Sequence, residues 1–100
     1  MKIDFSKVLV TLDGSNLMEN GQGITIGSVC YTALLTMMPD DKTSGEEKIK
    51  RFMLATAIYA AKESLDLPIE DIVKIKKLVG ELCTPIVVAQ VWPVLDGKTE

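Results

Sequence analysis

No histidine occurs among the 100 residues, which removes histidine-dependent catalytic triads, imidazole-ligated metal sites and a histidine pH switch. Aromatic residues number only five, so aliphatic side chains must supply most of the buried area. The two cysteines, Cys30 and Cys83, lie far apart without C-x-x-C spacing and sit within apolar helical patterns, so reduced, buried thiols are expected rather than a disulfide. No apolar stretch reaches the roughly eighteen residues of a membrane span, and Met-Lys-Ile-Asp-Phe lacks the apolar run of a signal peptide, so no membrane association and a cytoplasmic location are expected. A basic excess is missing as well: 11 basic against 14 acidic residues give a net charge of −3, which argues against non-specific binding to nucleic acid or an acidic membrane.

What the chain does have is a 47% apolar and 25% charged composition, that of a globular domain. One hundred residues make a single domain with room for one core. Its expected division is a β-hairpin region over 1–26, a helical region over 27–96 and a tail over 97–100. Only the middle, residues 44–77, is mildly positive, with seven basic against six acidic residues.

Residues 7–12 read KVLVTL, a β-branched and aliphatic run closed by Asp13-Gly14, the dipeptide that tolerates the positive φ angles of a tight hairpin. A short return strand is expected near residues 15–18, followed by the second turn Asn20-Gly21-Gln22-Gly23. From Ile26 the period changes: Ile26, Val29, Cys30, Ala33, Leu34 and Met37 fall on one helical face, which Pro39 and the polar run after it end. Ser44-Gly45-Glu46-Glu47 has the S-x-x-E form of a capping box and opens a second helix expected to run to about Glu63. Its apolar residues fall on two faces, Ile49, Phe52, Met53, Ala57 and Ala60 on one and Leu54, Ile58, Ala61 and Leu65 on the other, so it reads as a central helix covered on both sides. After Pro68, the acids Glu70 and Asp71 suit the positive end of a third helix dipole, and Ile69, Ile72, Val73, Ile75, Val79 and Leu82 repeat at helical spacing to an end near residues 80–83. Thr84-Pro85 opens a last, uncharged segment, in which Pro93 is expected to limit any regular helix.

Few constellations offer chemistry. VLVTLDGS over residues 8–15 is similar to the first motif of the haloacid-dehalogenase phosphatases, an apolar strand ending in D-x-D-G-T/S, but Thr11 stands at the nucleophile position and only Asp13 matches. The pairs Asp40-Asp41, Glu46-Glu47 and Glu70-Asp71 lie at or just before helix starts, where acids are stabilising without a metal. A helix-turn-helix reading of the last two helices fails on chemistry, since the second offers a base edge only Gln90. The uncharged C-terminal segment, with Val88, Val91, Trp92, Val94 and Leu95, is the candidate partner-binding surface; the alternative assigns it to the core.

Taken in order, DFSKVLVTLDG, LLTMMPDD, SGEEKIKRF, IKKLVGELCTPIVVAQVW and a terminal LDG resemble a group of small proteins encoded by tailed bacteriophages and prophages. The resemblance spans nearly the whole chain and rests on ordered patterns, not on a diagnostic motif. It implies a bacterial host cytosol and two roles: an accessory protein that binds a host protein, or an assembly factor such as a tail chaperone.

The combined expectation is an α+β domain, an N-terminal β-hairpin followed by three to four helices packed around Phe52, Met53, Ile58 and Ile72. Its function reads as non-catalytic protein binding, with no catalytic residue, cofactor or metal, and with homo-oligomeric assembly as the alternative. A third class, nucleic-acid binding, requires Lys48, Lys50, Arg51, Lys74, Lys76 and Lys77 to share one face.

Overall fold

The computed structural model describes residues 2–19, 21–36, 42–61 and 64–97. The fold is α+β, with the order β1 (Lys2–Asp4), β2 (Met18–Glu19), β3 (Gln22–Gly23), α1 (Ile26–Leu35), α2 (Gly45–Ala60), β4 (Ser64–Asp66), α3 (Ile69–Leu82) and α4 (Pro85–Leu95).

The N-terminal segment folds back twice. Its regular hairpin lies at the second turn, where β2 and β3 pair antiparallel (Glu19 opposite Gln22) and Gly21 takes φ +81°, a left-handed value open to glycine at no steric cost. At the first turn Gly14 takes φ +88°, but residues 7–12 form no continuous strand: Val8 pairs with Thr25 and Val10 with Asn16 as isolated bridges. The reason is a closed ring of backbone bonds. Leu9 N–H donates to the Ile24 carbonyl, Ile24 N–H to the Leu17 carbonyl, and Leu17 N–H to the Leu9 carbonyl, each at 2.8 Å. Three chain segments therefore meet at one point around the fully buried Leu9, and no flat ladder extends from it.

The same segment feeds α1. Ile26 N–H donates to the Lys7 carbonyl and Gly27 N–H to the Phe5 carbonyl, so donors that a helix start leaves orphaned are satisfied. Gly27 permits this approach, because a Cβ there would lie 3.1 Å from the Phe5 oxygen. Thr25 caps α1 in a reciprocal box with Ser28, and the Ser44 hydroxyl accepts from Glu47 N–H at 3.1 Å to cap α2; this is one half of the box that the S-x-x-E pattern predicts, the Glu47 carboxylate turning instead to Lys74. Helix α1 ends at Leu35 and α2 at Ala60; Met37, Pro39 and Glu63, expected at their ends, lie outside the described residues.

One strand was not expected within the helical region. β4 pairs antiparallel with β1, placing Ile3 opposite Leu65, so Leu65 belongs to a two-stranded sheet and not to a face of α2. Helix α4 also runs through Pro93 to Leu95; the proline removes one backbone donor and crowds the carbonyl a turn before it, but only two helical residues follow.

The core gathers Ile3, Phe5, Leu9, Ile26, Cys30, Leu34, Ile58, Ile72, Ile75, Val79, Val91 and Leu95 from every layer. Ile58 and Ile72 belong to it as expected. Phe52 and Met53 do not: they are 61% and 64% exposed. Helix α2 is covered by α1 on its Ala55–Ile58 side, and no described residue covers its other apolar face.

A candidate protein-contact face on the second helix

The C-terminal segment, first in line as a partner surface, is largely interior. Val91 and Leu95 are sealed from solvent and Val88 and Val94 are half-buried, because α4 is wedged between α3 and β1. Val91 and Leu95, one helical turn apart, point into the core and leave that surface. Trp92 is 38% exposed but structurally engaged: its Nε1–H donates to the Lys76 carbonyl at 3.1 Å and its ring lies over Gly80. The Lys76 ammonium sits 4.9 Å from the ring centroid while ion-paired to Asp96 at 2.6 Å. Gln90, the one side chain a DNA-reading α4 offered, is also committed. Its Oε1 accepts from Val10 N–H and its Nε2 donates to the Val10 carbonyl, both at 2.8 Å, so its amide acts as a substitute strand partner for the first turn.

The remaining motif residues are local structural devices. Asp13 accepts from the Thr11 hydroxyl and from Ser15 N–H at 3.0 Å, and these bonds lower its pKa to about 2, so its carboxylate closes the turn around Gly14. Glu46-Glu47 and Glu70-Asp71 occupy first helical turns, and Asp40-Asp41 lies outside the described residues. Among the described residues no three His, Cys, Asp or Glu side chains are grouped as metal ligands. Burial pushes the Cys30 thiol up to about 12, with the neighbouring Cys83 adding to the rise; Cys83 is raised by burial too, so neither is an activated nucleophile.

The six basic residues of the nucleic-acid alternative are divided. Lys74 pairs with Glu47 at 2.8 Å, where Arg51 also approaches at 3.6 Å, while Lys76 pairs with Asp96 of the tail turn. A cleft of about 720 Å³ between α2 and α3 brings Arg51, Lys74 and Lys77 together with Glu47, Glu70 and Glu81, a balance that creates no field of one sign. No described helix is long and apolar enough to cross a membrane.

What the structure exposes instead is the outer face of α2. Ile49 (61%), Phe52, Met53 and Tyr59 (74%) project into solvent, joined by Leu35 (53%) from the end of α1. Thr56, Ala57 and Ala60 fill the intervening positions and are also exposed. At 3.6 residues per turn, Ile49, Phe52, Met53, Thr56, Ala57 and Ala60 share less than half the helix circumference, opposite buried Ile58. Phe52, Tyr59 and Leu35 rim a shallow cleft of about 150 Å³ floored by Ala55 and Thr56. Tyr59 is held edge-on to Tyr31 of α1, with centroids 5.4 Å apart. At roughly 200 Å² for a fully exposed large side chain, the five large residues present on the order of 600 Å² of surface, at the top of the range for the largest apolar patch on a monomer. The sequence reading missed Leu35 and Tyr59 and placed Ile49, Phe52 and Met53 indoors. The signal was there in the two apolar faces of α2, more than the few elements of a 100-residue chain can cover.

No protein-family model matches the chain, and no curated protein or solved structure is significantly similar to it.

Proposed function

We propose that this protein acts without catalysis, as a protein-binding module whose contact surface is the outer face of α2 centred on Phe52 and Met53. The observation that carries this reading is that four large apolar side chains of one helix stay in water while only Ala55 and Ile58 of that helix are buried. An interface of that kind has an aliphatic and aromatic centre and a charged rim, here supplied by Glu46, Lys48 and Lys50. Trp92 contributes by holding α4 on α3 and not by touching a partner. The setting we propose is the one the sequence resembles, a phage-encoded protein in a bacterial cytosol, acting on a host protein or in particle assembly.

The test is affinity capture from phage-infected or prophage-induced bacteria with the wild-type chain, Phe52→Glu and Trp92→Phe, each first checked for native helical circular dichroism. Stoichiometric capture of one protein, lost with Phe52→Glu and kept with Trp92→Phe, is the expected result. Capture that survives Phe52→Glu and fails with Trp92→Phe would return the surface to α4 and overturn the reading.

A further inference from the structure

We draw no further inference here: the strongest candidate, the exposed apolar face of α2 from Ile49 to Tyr59, carries nothing beyond the contact surface already proposed, because nothing in the structure shows what covers it.

Discussion

Helix α4 carries no charged residue from Pro85 to Leu95, and its Val91 and Leu95 are closed off from water, whereas α2 carries five charged residues and still leaves Ile49, Phe52 and Met53 more than half exposed. Apolar content therefore ranks the two helices in the wrong order as surfaces. What separates them is the number of sides that neighbours occupy. Helix α4 is held by α3 through Trp92 over Gly80, by β1 below, and by the Gln90 amide locked to the Val10 backbone, so its apolar residues are consumed in packing. Helix α2 has α1 on one side, with the Glu47–Lys74 pair tying its first turn to α3, and nothing among the described residues covers the opposite stripe.

The contrast is broken or sharpened most strongly by truncating one residue from each helix. Leu95→Ala should cost about 2–5 kcal/mol in urea unfolding, the range for a fully buried leucine whose cavity cannot fully collapse. Phe52→Ala, measured on the monomer, should stay within about 1 kcal/mol, since an exposed ring loses little packing. Equal losses at both sites would mean that α2 is covered on both sides after all.

The next largest effect is expected at Gly80. Alanine is the better helix former, but its Cβ would lie 2.9 Å from Trp92 Cζ2, so Gly80→Ala should lower stability by about 1–3 kcal/mol, and Trp92→Phe in the same chain should recover part of it. A gain in stability from Gly80→Ala alone would show that Trp92 does not seat α4 on α3.

Much of this was legible in the sequence. The α+β class, the start of α1 at Ile26, the Ser44 cap and the end of α3 near Cys83 all follow from periodicity and capping chemistry, which are local. The β1–β4 pairing was not, because it joins residues 2–4 to residues 64–66 and two three-residue strands leave no periodic trace. Residues 7–12 have strand composition, yet the Leu9–Ile24–Leu17 ring of hydrogen bonds exists only once three distant segments have met. The exposed face of α2 was missed for a related reason: the spacing of Ile49, Phe52 and Met53 identifies an apolar stripe, and whether another element covers it is a question of topology. Trp92 shows the converse, a residue type enriched at interfaces whose indole N–H and ring are committed within its own chain.

A smaller loss should follow Gln90→Leu, which keeps the side-chain volume but removes both bonds to Val10 at a cost of about 1–2 kcal/mol. Hydrogen exchange at the Val10 amide should rise with it, and an unchanged rate would mean that the clamp does not hold the first turn.

The smallest effect concerns the charged end of α2. The Lys74 ammonium holds the Glu47 carboxyl below its ordinary value of 4.5, with Arg51 and Lys50 adding to the lowering, so the pair's contribution is fully present above that value and is lost as the pH falls below it. Its partly exposed side chains limit it to under about 1 kcal/mol. The stability difference between wild type and Lys74→Gln should be measurable at pH 7 and should shrink as the pH is lowered below 4.5; a difference unchanged in acid would remove Glu47 as its source.

The most direct test of α2 against α4 as the contact surface is oxidative footprinting of Met53 and Trp92, followed by mass spectrometry, in the free protein and after association at high concentration or with a captured protein. Protection of Met53 with Trp92 oxidised at an unchanged rate is the predicted result. Protection of Trp92 with Met53 unchanged would contradict the account and return the contact surface to the C-terminal helix.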